Sequence, residues 1–596
     1  MIKKNRNLSN DQGTLMAGGV GLIVLAALVL AYPEPCRDYV CDSIAVGTIL
    51  EKNQNLSVRV EDISTREQGR ITVLNLSRLG LRKIPAEITR LTQLQSLDLS
   101  ENGLGALPEE LAGLTAISHL DLSHNQFTEV PRAVFKLEHL TSLNLWKNKV
   151  RVLPGRIGKL KKLTFLGVAG NELEELPADL KELGLLNTLD ASNNQLRFIP
   201  SEINKLSNLQ SLYLYGNRLW RLPEKMGRMK ITRLDLGGNR LRTRASFPDD
   251  FWKFPVLKWL SLRDNGLDTV PDGLLKLKSL NTLELSGNRL ADLPGKLHKM
   301  KELENLNLDG NRLEFVPEGL FGIPGLKKLS LSGNRIESLS SKIYKMKKLS
   351  FLDLSRNKLS RLPPETGELI SLETLVLREN RLQELPYGLS NMPLLGHLDV
   401  EFNRINQLPS DFGEIDALKV LNLGSNKLAS VPANIGGLRN LEKLFLRNNR
   451  LKILPSEIGL IFSLKFLDVG ANRLKYLPSS LGSLTQLSQL YIYNNKLEGL
   501  PAEIGYLSSL AFLDASHNML TALPPQIGQL RSLTWIYLNN NQLNTLSKDM
   551  LALTPWDYLN MDGNYLCFLT ATQLKWMDQF AAPHNTKWKL TQKGCK

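Results

Sequence analysis

Residues 421–443 read LNLGSNKLASVPANIGGLRNLEK, and residues 444–466 read LFLRNNRLKILPSEIGLIFSLKF. The second stretch repeats the first after 23 residues, in the pattern L-x-L-x-x-N-x-L-x-x-(L/V)-P-x-x-I-x-x-L-x-x-L-x-x. Leu421 and Leu423 alternate with Asn422 and Gly424, the period of a short strand with one face inward and one face free. Asn426 ends that strand, and its amide both donates and accepts, so it suits turn backbone that is buried without partners. Losing one such Asn is expected to cost roughly 1–3 kcal/mol. Leu428 and Val431 turn back inside, Pro432 stops further strand pairing, and Ile435, Leu438 and Leu441 line a return leg. No single copy can bury these side chains. Stacked copies can, which makes a solenoid with parallel strands on its concave side.

The marker Asn recurs at 102, 125, 148, 171, 194 and 217, then at 239, 265, 288 and every 23 residues to 564, in all 21 times. An earlier copy, LNLSRLGL from Leu74 to Leu81, carries Leu79 in that place and brings the repeats to 22. Over about residues 71–566 the pattern resembles the leucine-rich repeat family. Its Leu-Pro step and Pro-x-x-Ile return leg are similar to the 23-residue class of Ras-group intracellular and many bacterial members. The resemblance implies an α/β solenoid, a right-handed horseshoe of about 22 repeats with a parallel concave sheet and short helical or 3-10 segments on the convex side. It also implies a binding protein, since the family is defined by shape and its members mostly bind other macromolecules.

Outside the repeats the layout is expected to be a basic segment with a signal peptide or transmembrane helix (1–35), an N-terminal cap (36–70), the array (71–566) and a C-terminal cap (567–596). Lys3, Lys4 and Arg6 precede an uncharged run, LMAGGVGLIVLAALVLAY, from Leu15 to Tyr32. Such a run is long enough to span a bilayer core with its basic side cytoplasmic, or to be cleaved as a signal peptide after Ala31. The four cysteines all lie outside the array. Exported relatives often close their apolar ends with disulfide-bonded caps, so the resemblance implies the pairs Cys36–Cys41 and Cys567–Cys595. Asp42 or Ser43 suits the cap of a helix from Ile44 to Glu51, and Gly69 then turns the chain into a first strand, Ile71 to Leu76. At the other end Leu574, Met577 and Phe580 recur at helical spacing and, with Trp576 and Trp588, suit a closing cap. The formal net charge is +15, a balance that favours anionic partners.

Nothing in the chain reads as a catalytic centre. The seven His residues are scattered without metal-ligand spacing, and neither a phosphate loop nor a Gly-x-Ser-x-Gly elbow is present. No cofactor or metal is expected, and nucleic acid is not expected as a partner because no recognised module for it is present. The informative residues are those six, four and two places before each marker Asn, which point out of the concave face. Aromatic and Arg side chains gather there in two groups. One is Tyr213, Tyr215, Arg233, Trp259 and Arg263; the other is Phe445, Arg447, Phe466, Tyr491, Tyr493, Phe512, Trp535, Tyr537 and Tyr558. This is the composition of a protein-binding surface, although the rings can also serve simply to stack on one another along the sheet. Asp98, Asp121, Asp190, Asp235, Asp353, Asp399, Asp468 and Asp514 recur four places before the Asn and read as structural surface.

In nine consecutive copies the residue after the Asn is basic and forms a rim: Arg289, Arg312, Arg335, Lys358, Arg381, Arg404, Lys427, Arg450 and Arg473, with Asp292, Glu314, Glu337 and Glu384 nearby. It reads as a solvated edge or as a track for an anionic envelope polymer or lipid. The rhythm breaks in one place, where 22 residues separate Asn217 from Asn239 and 26 separate Asn239 from Asn265, and Arg242 to Pro255 replaces a normal return leg, either as tolerated drift or as a binding insertion. The expected role is non-catalytic capture of a protein ligand on the concave face of an exported array. That array is either secreted or membrane-anchored through Leu15 to Tyr32 and facing outward. The alternatives are an envelope structural protein held by its basic rim and an intracellular signalling scaffold.

Overall fold

The computed structural model describes residues 38–55, 57–553, 557–581 and 591–594. The apolar run Leu15 to Tyr32, Cys36, Cys595, Trp588 and the Phe580 side chain lie outside the described residues. The backbone divides into two compact units, one ending at Ile231 and the other beginning at Thr232.

Both units are built from the same repeat. Each copy contributes a three-residue strand, and neighbouring copies pair in parallel at the same repeat position: Val420 faces Lys443, Leu421 faces Leu444, and Asn422 faces Phe445. This register turns every repeat position into a file. The central Leu file is buried completely at Leu421, Leu444 and Leu467, and the residues on either side of it stay on the open face of the sheet. The return leg is a single 3-10 turn, as in Ala433–Gly437, entered from Pro432 in extended backbone (φ −73°, ψ 155°). So few residues separate the proline from the next strand that a short, tight helix suffices. Ile435, Leu438 and Leu441 are fully buried beneath it.

The marker Asn ties the copies together. The Asn426 amide nitrogen donates to the carbonyls of Val400 (3.0 Å), Leu423 (3.1 Å) and Gly424 (3.0 Å), and its oxygen accepts the Ile405 N–H at 2.9 Å. One side chain therefore serves its own turn and the preceding repeat. The residue before it adopts a left-handed backbone, as in Ser425 (φ 52°) and Phe402 (φ 55°).

Among the described residues, the unit ending at Ile231 opens with helix α1 (Tyr39–Lys52). That helix starts earlier than the expected Ile44, and its cap is Asp38, which accepts the Cys41 N–H at 3.1 Å. Asp42 is not a cap. It sits inside α1 at 0% exposure, pairs with Arg70 at 2.8 and 3.0 Å, and accepts the Ile71 N–H at 2.7 Å. A buried carboxylate needs such partners, and here they fasten α1 to the first strand of the array. After a single helical turn, α2 (Val60–Ile63), comes strand β1 (Ser64–Glu67), which pairs antiparallel with β2 (Arg70–Asn75). Gln68 (φ 48°) and Gly69 (φ 73°) form the tight turn between them. The sequence reading placed the turn at Gly69 but missed β1, whose polar residues STRE carry no apolar alternation. The remaining strands of this unit are parallel and end at Ser211–Tyr213.

The unit beginning at Thr232 runs from the strand Arg233–Asp235 to the strand Tyr558–Asn560, all in parallel register. Its irregular copy is filled from inside. Phe247, Phe251, Trp252 and Phe254 are buried at 6%, 0%, 5% and 3% exposure, with ring centroids 4.9–5.3 Å apart. The aromatic residues of the insertion thus pack core, while Arg242, Thr243, Arg244, Ala245, Asp249 and Lys253 are exposed. After the last strand comes α3 (Ala571–Ala581), whose buried face is Gln573, Trp576 and Met577. Leu574, expected in that face, is 37% exposed, because residues 573, 576 and 577 share a side of the helix that 574 does not. Gln573 donates to the Leu546 carbonyl at 3.0 Å and so caps the last repeats. Cys41 and Cys567 are both disulfide-bonded, and the Cys567 sulfur lies 3.7 Å from the Lys593 carbonyl oxygen. Among the described residues no helix is long and apolar enough to cross a membrane.

Candidate functional site

The register brings most of the second aromatic group together. Ring centroids follow one another from Phe445 to Phe466 (4.6 Å), Tyr491 (5.2 Å), Phe512 (4.7 Å), Tyr537 (5.6 Å) and Tyr558 (4.8 Å), and Trp535 stacks on Tyr558 at 5.4 Å. The chain of rings zigzags between two files of the sheet, because a ring four places before one Asn meets a ring six places before the next. These rings do stack on each other, yet they remain open to solvent. Phe445, Phe466, Tyr491, Phe512, Tyr537 and Tyr558 are half-buried, and Trp535 is 40% exposed. Burial, with Asp468 next in weight, pushes the phenols of Tyr491 and Tyr493 above their ordinary range; burial and the neighbouring Tyr558 do the same for Tyr537. All three therefore stay neutral hydrogen-bond donors at physiological pH.

Two residues of that group behave differently. Arg447 and Tyr493 lie two places before their Asn, and in the copies just before them that place is held by Gly424 and Gly470. A Cβ on Gly424 would sit 3.2 Å from Arg447 Cγ, and one on Gly470 would come within 2.3 Å of the Tyr493 ring. Arg447 therefore leans across Gly424 to Glu401, 46 positions away, with contacts of 2.6 and 3.1 Å. Glu401 is fully buried, and Arg378 binds its other oxygen from the opposite side. Arg378 also meets Glu379 at 3.2 Å and lies 4.8 Å over the Phe402 ring. Sequence reasoning missed Arg378, Glu401 and Phe402; the signal available was the alternation of large and small residues in that file. Phe402 is 45% exposed and held in left-handed backbone, a costly conformation for an aromatic residue.

The first group is divided. Tyr213 and Tyr215 belong to the unit ending at Ile231, and Arg233, Trp259 and Arg263 to the unit beginning at Thr232. Within the latter, the Arg233 guanidinium lies 5.2 Å over the Trp259 ring. The Asp file is structural: Asp98, Asp121, Asp190, Asp235, Asp353, Asp399, Asp468 and Asp514 each accept the N–H two residues on at 2.7–3.0 Å. Burial raises the carboxyls of Asp399 and Asp468 above the ordinary aspartate range. Among the described residues no group of His, Cys, Asp and Glu is placed to hold a metal ion. Of the nine rim residues only Lys358 is paired within the described residues, to Glu337 at 3.4 Å; the other eight are exposed.

A leucine rich repeat family model matches residues 69–127, 122–173, 255–313, 301–359, 324–382, 347–405 and 393–451, just over half of the chain. The chain belongs to the leucine-rich repeat family. No curated protein matches it. Among solved structures this leucine-rich repeat chain is similar to the plant peptide hormone receptor RGFR1 in complex with RGF2, with 25% identity over 85% of this chain and 95% of that one and a TM-score of 0.50. A TDR receptor is 27% identical over 83% and 93% of the two chains, with a TM-score of 0.51. YopM from Yersinia enterocolitica, 23% identical over 90% and 99% with a TM-score of 0.50, shares the fold.

Proposed function

We propose that this protein captures a polypeptide ligand, without catalysis, on the open sheet face of the unit beginning at Thr232. The observation that carries the reading is the unbroken succession of half-exposed rings from Phe445 to Tyr558 across two files. Rings locked by their neighbours lose little freedom on binding, so their contact area converts efficiently into affinity. The buried Glu401 fastens Arg378 and Arg447 at one end of the file and sets a polar boundary there. The solved peptide hormone receptor supports the same use of such a scaffold. The bonded state of Cys41 and Cys567 supports an extracytoplasmic location, secreted or anchored through Leu15 to Tyr32, with Cys36 and Cys595 as their partners.

The test is direct. Peptides selected from a random library on the wild-type chain are measured against the triple variant Y491A/Y493A/W535A. A loss of roughly a hundredfold or more, with an unchanged melting profile for the remaining repeats, is expected from removing central aromatic anchors. Equal affinity for the wild type and the variant would refute binding on this face.

A further inference from the structure

The loops running from each marker Asn to the following Pro form a separate flank of the unit beginning at Thr232. In four consecutive copies they read NRINQLP (403–409), NKLASVP (426–432), NRLKILP (449–455) and NRLKYLP (472–478). They carry six cations, Arg404, Lys427, Arg450, Lys452, Arg473 and Lys475, and no carboxylate. All six are exposed, and among the described residues none is within ion-pair distance of an acid. The nearest acids in sequence on the return legs, Asp411 and Glu457, lie beyond the prolines. Earlier loops differ: Asp292, Glu314 and Glu337 interrupt them, and Glu337 pairs with Lys358.

The backbone that carries the cations is held in place. The N–H groups of Arg404, Lys427, Arg450 and Arg473 donate to the carbonyls of Leu382, Ile405, Leu428 and Leu451 at 2.8–2.9 Å, so the file cannot spread. Parallel strands set its spacing at about 4.8 Å, well inside a Debye length of about 8–10 Å. Like charges rooted on so regular a backbone file are best neutralised by a counter-charge that is itself linear. Beside them stand Ile453 and Tyr476, at the same position of adjacent copies and 63% and 59% exposed. A bilayer rewards buried apolar area, and two side chains offer little of it. A sugar ring needs only one aromatic face.

We propose that this flank binds a linear anionic polysaccharide, with acidic groups along the cation file and the apolar face of a sugar ring against Tyr476. The full-length chain is tested for binding to dextran sulfate, with neutral dextran and phosphatidylcholine–phosphatidylserine vesicles as comparators, over a range of salt. Two variants that change net charge equally, K452E/R473E/K475E and R289E/R312E/R335E, replace only exposed side chains. The first is expected to lose roughly a hundredfold in affinity for dextran sulfate and to flatten its salt dependence; the second should lose less than about threefold. Tyr476→Ser should weaken binding about fivefold with the salt slope unchanged, since it removes stacking and no charge. Equal losses in the two triple variants would overturn the proposal, because net charge alone would then explain binding. Binding no tighter than to dextran, or tighter to the vesicles than to the polymer, would overturn it as well. An unchanged affinity for Tyr476→Ser would overturn the assignment of the ring.

Discussion

Asn449→Ala removes one member of the Asn ladder, and the structure allows its cost to be worked out group by group. The Asn449 oxygen accepts the Leu428 N–H at 3.0 Å, and its nitrogen donates to the carbonyls of Leu423, Leu446 and Arg447 at 2.9, 3.0 and 3.3 Å. Those carbonyls keep second donors: Asn426 on Leu423, Asn472 on Leu446 and the Ser425 N–H on Arg447. The Leu428 N–H keeps nothing. An orphaned buried donor costs about 1–3 kcal/mol, and thinning the bonds to three carbonyls adds about 1 kcal/mol, for roughly 2–4 kcal/mol in all. The readout is hydrogen exchange at the amides of Leu446 and Arg450, whose own acceptors Asp468 and Leu428 are untouched. Their local opening should rise roughly 30- to 1,000-fold, at 1.4 kcal/mol for each factor of ten. Exchange within about threefold of wild type would refute the accounting. Asn449→Asp sharpens it. A carboxylate still accepts from Leu428 but turns negative charge on the carbonyls, so it should be worse than Ala at neutral pH. Its folded carboxyl is thereby raised above the unfolded value, so stability should recover as pH falls through the folded pKa.

The other expectations are briefer. Asp42→Ala strands Arg70, whose side chain is only 13% exposed, and should cost about 3 kcal/mol, seen as a lower melting temperature and faster proteolysis across residues 38–75. Asp468, 4% exposed, has its carboxyl raised by burial, so the folded state holds a proton over a window in which the unfolded chain has lost it. Its contribution to stability is therefore greatest below that window and falls as pH rises through it. Asp468→Asn, which can still accept the Gly470 N–H, should stabilise the protein at neutral pH by an amount that shrinks on acidification, read from denaturant midpoints at several pH values. Intact mass before and after reduction should show no free thiol, with residues 1–31 present in an anchored form and missing in a secreted one; four free thiols would contradict an extracytoplasmic location.

The strict interval between Asn residues is enough, without coordinates, to determine the repeat, the parallel register and the faces, because every copy must bury its Leu positions against the next. The rings from Phe445 to Tyr558 were legible for the same reason: in-register strands make a file out of any recurring position. The basic rim could be counted directly. Other features depended on reach rather than period. Which rings touch is decided by alternation between two files, and Arg447 finds Glu401 only because Gly424 leaves the backbone between them bare. That the four aromatic residues of the insertion after Arg242 pack inside while Arg242 to Ala245 stay exposed could not be read from the period. Asp42 reads as a helix cap in sequence, but Arg70 and the Ile71 N–H claim it across the fold. A one-dimensional period specifies where each Cα and Cβ must go. Where a long or charged side chain ends depends on the volume and charge left by residues one or two copies away, and only the packed structure decides that.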